Sequence, residues 1–165
     1  MGHSIIALLL APPFDDAAAA RFDLRPIALD APLILFHVDH YFTAYWTAVL
    51  GLGKRPPLDR PASAPSIFPD ERVLLHMARA MKASPSPRFA VIMTEYFGGM
   101  GDQWAAVYEG ASTLPTDGSI NAALRAFAIV RRGDLDEFDT VGLSRHRSSP
   151  SYLDRYVALC DDFDV

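Results

Sequence analysis

Apolar residues recur along the chain with two periods, and these periods predict both strands and helices. Continuous or alternating apolar runs predict strands at residues 4–10, 25–29, 33–38, 88–96 and 103–109. Helical spacing of apolar residues predicts helices at residues 15–22, 41–50, 69–81, 119–127 and from about 149 to 159. The chain therefore mixes both kinds of element.

Capping residues mark where several of these helices begin and end. Asp15 and Ser119 stand where a side-chain oxygen can accept the unpaired amide hydrogens of a first turn. Pro69 fits a first turn, where its missing amide hydrogen is not needed, and Gly51 can end the preceding helix. We expect one α+β domain over residues 1–165: a mixed, mainly antiparallel sheet with a central hairpin, covered by several helices.

The segment GLGKRPPLDRPASAP, residues 51–65, predicts an exposed loop. Proline and glycine dominate it, so it has few backbone donors and no periodic apolar face. Such loops are cut readily by proteases, and we expect the first cleavage near Lys54, Arg55 or Arg60.

The stretch TEYFGGMGDQWAAVY, residues 94–108, allows two interpretations, a phosphate-binding loop or a hairpin. A phosphate loop needs a helix directly after its glycines, and its nucleotide-binding form adds Lys followed by Ser or Thr. Neither feature is present. The flanking runs favour strands instead, so Gly98, Gly99 and Gly101 are expected to supply the positive φ angles of a tight connection.

A hairpin at this position predicts a contact surface for another protein. The turn from 98 to 102 must reach the surface because its backbone polar groups cannot all be paired inside. This placement exposes Phe97 and Met100 beside Asp102 and Trp104, which are the predicted partner-binding residues. The alternative is a tip that folds back onto its own core.

Composition narrows the kinds of partner and compartment. Half of the 165 residues are hydrophobic, which suits one self-sufficient core. The net charge of −5 argues against nucleic acid as the partner and favours a basic protein surface. No run approaches the roughly 20 apolar residues that a membrane-spanning helix requires. Cys160 is the single cysteine, so no intrachain disulfide can form and a reducing cytoplasm is expected.

The segment LFHVDH, residues 35–40, is a candidate metal site. It resembles the His-x-His-x-Asp-His signature of the metallo-β-lactamase hydrolase family over these six residues, and the resemblance implies metal ligands at His37, Asp39 and His40. Leu35 occupies the place of the first histidine, so one expected ligand is absent. The alternative is that Asp39 caps the following helix while the histidines form a local hydrogen-bonded pair.

An acidic and basic segment near the C-terminus is a second candidate for chemistry. Asp136, Glu137 or Asp139 can serve as a general base if they line a cleft. Arg145 or Arg147 can then clamp an anion. The alternative is an ion-pair network on the surface that fixes a long loop.

A family resemblance adds a function to this picture. The stretches TEYFGGMGDQWAAVYEG, INAALRAF and DEFDTVGLSRHR resemble an uncharacterised family of small bacterial proteins, some encoded beside secreted toxins. The resemblance implies a cytoplasmic immunity or accessory protein that binds a partner, and it transfers no catalytic residue. The sequence thus predicts a noncatalytic protein-binding module that neutralises a toxin and needs no cofactor, with a metal-dependent hydrolase at residues 37–40 as the alternative.

Overall fold

A six-stranded antiparallel sheet forms the centre of the protein in the computed structural model, which describes residues 2–53, 58, 64–65 and 67–165. The strands are β1 (His3–Leu10), β2 (Ile27–Ala28), β3 (Ile34–His37), β4 (Arg88–Phe97), β5 (Met100–Glu109) and β6 (Ser112–Leu114). Their order across the sheet is β2-β3-β1-β4-β5-β6, and every neighbouring pair is antiparallel. A single parallel bridge, Ser4 to Ser148, is the only parallel pairing among the described residues.

Helices cover both faces of this sheet. They are α1 (Asp16–Arg21), α2 (His40–Val49), α3 (Glu71–Lys82), α4 (Ile120–Ala126), α5 (Glu137–Thr140) and α6 (Arg155–Asp162), with 3₁₀ turns at Leu143–Arg145 and Ser151–Asp154. The α+β class and the central position of β4 are confirmed. In the described part of the chain, no helix combines the length and the apolar composition needed to cross a bilayer.

Strand alternation divides the core into two clusters, one on each face. On the α3 face of the sheet, Leu8, Phe36 and Tyr108 pack with the buried sides of α1, α2, α3 and α6. On the α4 face, Leu9 and Val107 pack with α4 and the segment from 141 to 143. Because successive side chains of a strand point to opposite faces, an uninterrupted apolar strand such as β1 can serve both clusters.

The predicted helix signals largely hold. The Asp15 carboxylate accepts the amide hydrogens of Ala17 and Ala18, and Ser119 Oγ caps α4. The apolar stripe of α3 is buried as expected, but Asp70 is its cap, so Pro69 precedes the helix rather than entering its first turn.

The segment after α2 is described only in part. Gly51, at φ +61°, ends α2 as predicted. The expected cleavage sites Lys54, Arg55 and Arg60 lie outside the described residues. Most of α2 is half-buried rather than fully buried, since only Phe42 and Thr43 are inaccessible.

Candidate functional site

The predicted hairpin is confirmed, with a turn shorter than expected. Gly98 and Gly99 form its two central residues at φ +60° and +81°, the geometry that matches the twist of a tight antiparallel hairpin. Strand pairing resumes at Met100, so residues 100–102 belong to β5 rather than to the turn. Gly101 is therefore a strand residue, and a Cβ at this position would lie 2.0 Å from the carbonyl oxygen of Glu95.

The tip of the hairpin carries two exposed apolar side chains. Phe97 and Met100 face each other in the register of the two strands, and they are 83% and 80% exposed. Within the described chain they are among the most exposed large apolar residues. The alternative of a tip folded back onto the core is therefore wrong.

Strand alternation places all four predicted partner-binding residues on the α3 face of the sheet. Met100, Asp102 and Trp104 alternate along β5, and Phe97 lies opposite Met100. Asp102 is exposed, whereas Trp104 is half-buried against the larger core cluster and forms the base of the surface. We call these residues, together with Glu95, the tip surface.

Glu95 is the member of the tip surface that sequence reasoning missed. It lies directly opposite Asp102 in the register, so two acidic residues are cross-strand neighbours on the α3 face. Like charges at directly opposed positions destabilise a strand pair. No ion pair joins either carboxylate to another described residue. Asp102 can pair with Glu95 only if the turn has two residues and β5 begins at Met100. The sequence did not indicate this start, because residues 100–102 are not of types that favour strands.

A polar cavity of about 310 Å³ lies behind the tip, on the α4 face. His3, Thr94, Gln103, Asn121 and Asp136 are among its lining residues. The hydrogen bonds of these side chains are largely directed to one another or to the backbone, as with Ile120 N–H to Gln103 Oε1 at 3.0 Å and Asn121 Nδ2 to Asp136 Oδ2 at 3.0 Å. These bonds attach α4 and α5 to the base of the hairpin and hold it in place.

His3 links the same cavity to the C-terminal segment. Its Nε2 lies 3.1 Å from the carbonyl oxygen of Leu143, which can only accept, so Nε2 carries the hydrogen when the ring is neutral. Its Nδ1 then accepts from Thr94 Oγ1 at 2.7 Å, and that hydroxyl accepts from Ile5 N–H. The chain of bonds fixes the neutral tautomer of a buried histidine.

The acidic and basic residues near the C-terminus do not pair with one another. Glu137 receives a hydrogen bond from Arg125 at 3.0 Å, and Arg145 binds Asp30 at 2.7 Å. The backbone N–H of Glu137 itself and the guanidinium of Arg125 lower the pKa of Glu137. Glu137 and Arg145 therefore form ion pairs as the second interpretation predicted, but their partners lie outside this segment.

Asp136 and Asp139 have separate positions in that segment. Asp136 caps α5 by accepting the amide hydrogen of Asp139, and both residues line the cavity. Arg147 donates no side-chain hydrogen bond among the described residues, but its carbonyl accepts from Ser4 N–H. Arg145 is bound to Asp30, so it does not form the predicted arginine clamp beside a carboxylate base.

The residues of the LFHVDH segment have three different surroundings. His37 is buried on β3 near the ring of His146, and burial first and repulsion from His146 second lower its pKa to about 4. Asp39 accepts the amide hydrogen of Phe42 at 2.7 Å and so caps α2, while burial raises its pKa. The ring of His40 lies against that of Tyr41, with 4.0 Å between the ring centres and a tilt of 38°. Among the described residues, no group of three His, Cys, Asp or Glu side chains is arranged to hold a metal ion.

A second cavity adjoins one of the predicted metal-site residues, because His40 is part of its lining. It measures about 560 Å³ and is bounded by α2 and the approach to α3, including Thr43, Thr47 and Phe68. Gly51 and Gly53 line its rim. We assign it no role: Asp70 and Arg72 in its lining form an ion pair with each other, and no group of possible metal ligands gathers around His40 in the described part of the chain.

No family model, curated protein or solved structure matches this chain. The resemblance of its second half to small bacterial proteins therefore stays a prediction. The geometry of the tip surface is the remaining basis for a functional hypothesis.

Proposed function

We propose that this protein is a noncatalytic protein-binding module that contacts its partner through the tip surface. The observation that carries the proposal is the exposure of Phe97 and Met100 at the end of a hairpin held in place by the cavity residues behind it. An aromatic ring and a flexible thioether are side chains that contribute strongly to protein interfaces.

The tip side chains contribute little to the stability of the free protein. Complete burial of a Phe or Met side chain stabilises a fold by about 1.5 to 3 kcal/mol. With 83% of Phe97 and 80% of Met100 exposed, each gains only a small part of that energy in the free protein. Most of their apolar area is thus available for burial against a partner.

The two charged residues nearest the tip are acidic, which favours a partner with a basic surface. The sequence between Arg88 and Arg125 contains no Lys, Arg or His. Glu95 and Asp102 lie near the tip, whereas Glu109 lies at the far end of the hairpin and is paired with Arg88. Opposed charges steer two proteins together and select against partners of the same charge. The specific form of the proposal is a cytoplasmic immunity protein that neutralises a toxin, and it rests on the family resemblance.

Replacing both tip side chains tests the proposal. Phe97→Ser with Met100→Ser should abolish capture of a partner from a lysate of the source organism, and the captured protein should rebind the purified wild type directly. The thermal midpoint should fall by less than about 4 °C, because the lost burial is worth less than about 1 kcal/mol. Val130→Ser is the matched control, since Val130 is 81% exposed at a distant position in the sequence.

Two results would contradict the proposal. One is a double-serine variant that captures the same partner as the wild type. The other is an equal loss of capture in Val130→Ser, which would show that general surface hydrophobicity mediates the contact.

The metal-dependent hydrolase remains the alternative hypothesis from sequence, and it gains no support from the contacts of His37, Asp39 and His40. The carboxylate of Asp39 is engaged in capping α2. Metal analysis of the purified protein separates the hypotheses: stoichiometric zinc that is lost in His37→Ala with His40→Ala would favour the hydrolase and oppose the binding module.

A further inference from the structure

Part of β5 forms an open edge of the sheet. β6 pairs with β5 only from Val107 to Glu109. The next outward group, the amide of Ala105, donates to the carbonyl of Gly118 at 2.9 Å. Residues 100–104 have no strand beside them on this side among the described residues.

Strand alternation identifies the backbone groups that this edge presents. Val107 and Glu109 bond outward to β6, and Ala105 bonds outward to Gly118, so the odd-numbered residues of β5 direct their N–H and C=O groups away from β4. Gly101 and Gln103 continue that series and are exposed. No backbone hydrogen bond joins these outward groups to another described residue.

We propose that this edge, over Gly101 and Gln103, accepts an extended basic segment of the partner protein as an added strand. The proposal rests on the proposed function, because it names how a partner engages the region beside the tip surface. Added strands gain affinity from main-chain hydrogen bonds and specificity from alternate side chains. Gly101 has no side chain to obstruct the approaching backbone.

The acidic residues near the edge favour a basic partner segment over a second copy of this chain. Asp102 lies between Gly101 and Gln103 and opposite Glu95 in the register, and neither carboxylate has an ion-pair partner among the described residues. A second copy of this chain would bring the same carboxylates toward each other, which disfavours edge-to-edge pairing. A Lys or Arg of an added strand would instead relieve the repulsion within the pair.

The side chains along the edge predict a sequence pattern for the segment. On the α3 face, Met100, Asp102 and Trp104 follow one another at alternate positions. A matching strand therefore carries a basic residue with an apolar residue two positions away on each side. The intervening residues face the opposite side of the sheet, beside Gly101 and Gln103.

The test uses the full-length protein and a capped synthetic peptide, Ile-Thr-Arg-Thr-Ile, as the probe. Amide hydrogen exchange measured by NMR should slow at Gly101 and Gln103 as the peptide is added, by about twofold when its concentration equals Kd. The amides of Met100 and Asp102 already bond to β4 and serve as internal controls. Asp102→Asn should weaken peptide binding about two- to fivefold, as expected for a partly exposed ion pair.

Three control peptides make the geometry testable. A central Glu in place of Arg should weaken binding to the wild type. Two further peptides carry backbone N-methyl groups, one on its Ile and Arg residues and the other on its two Thr residues. Only one of these peptides should lose binding, because a strand directs alternate amides toward its neighbour. Equal binding of both methylated peptides, or no protection at Gly101 and Gln103 with any peptide, overturns the edge proposal.

The outcomes separate this inference from the proposed function. If partner capture depends on Phe97 and Met100 but amide exchange at Gly101 and Gln103 does not slow, the binding function is supported and the added-strand proposal is wrong. Protection of the edge together with capture that ignores the double-serine substitution removes the tip surface as the contact.

Discussion

Burial of His37 should make the stability of this fold depend on pH. The side chain is 5% exposed, and its Nδ1 has no hydrogen-bond partner among the described residues. Burial and the neighbouring His146 lower its pKa from 6.5 to about 4. Between pH 6.5 and about 4, His37 therefore binds a proton in the unfolded chain but stays neutral in the folded protein. The contribution of neutral His37 to stability is complete above pH 6.5 and is lost as the pH falls through about 4.

The size of the effect follows from the lowered pKa. A fall from 6.5 to about 4 corresponds to about 3 kcal/mol of unfolding free energy, at 1.36 kcal/mol for each pH unit. Domains of this size are stable by only about 5 to 15 kcal/mol, so the loss should be easily measured. The raised pKa of Asp39 acts in the opposite direction, and a comparison of variants that all retain Asp39 cancels it.

Urea denaturation of the wild type and of His37→Leu, at several pH values between 6.5 and 4, measures the contribution. The leucine variant should lose the part of the pH dependence that comes from His37 and gain stability relative to the wild type as the pH falls. The pKa of His146, which burial also lowers, contributes a dependence of the same sign that remains in the variant. His76→Gln is the control, because His76 lies on the exposed side of α3 and should leave the profile unchanged. Parallel profiles for the wild type and His37→Leu over this range would refute the reasoning.

Three further substitutions test the packing around the sites. Asp39→Ala removes the cap of α2 and should cost about 1 kcal/mol in urea denaturation; a change near zero would show that the cap contributes nothing. Gly101→Ala places a Cβ 2.0 Å from a backbone oxygen of β4 and should speed amide exchange at the end of β5, whereas Gly99→Asn meets nothing within 4 Å and should not. Equal exchange in these two glycine variants would contradict the strand role of Gly101. Leu74→Ala, in the fully buried stripe of α3, should cost about 2 to 5 kcal/mol, and a cost below 1 kcal/mol would mean that the site collapses around the smaller side chain.

Local patterns predicted the elements whose causes are local. The capping oxygens of Asp15 and Ser119, the apolar stripe of α3 and the paired glycines of the hairpin each act within a few residues, so each could be recognised from the sequence. The exposure of Phe97 and Met100 was predicted from a turn placed at residues 98–102; it is observed although the turn itself has only two residues and Met100 begins β5.

Features that depend on distant pairing could not be predicted in the same way. The central place of β1 results from its pairing with β3 and β4, which are far away in sequence. Arg145 pairs with Asp30, and no local pattern indicates that contact. The strand character of residues 100–102 and the Glu95–Asp102 pair arise from register with β4 rather than from the strand propensity of Gly and Asp.

Site-specific photo-crosslinking tests most directly whether the tip surface binds a protein. Benzoylphenylalanine in place of Phe97 should give one covalent adduct with one partner in cells of the source organism, and Met100→Ser in the same chain should reduce its yield. The same photoreactive residue in place of Val130, which is similarly exposed, should not give that adduct. An adduct of equal yield from both positions, or none from position 97, would contradict a binding function for the tip.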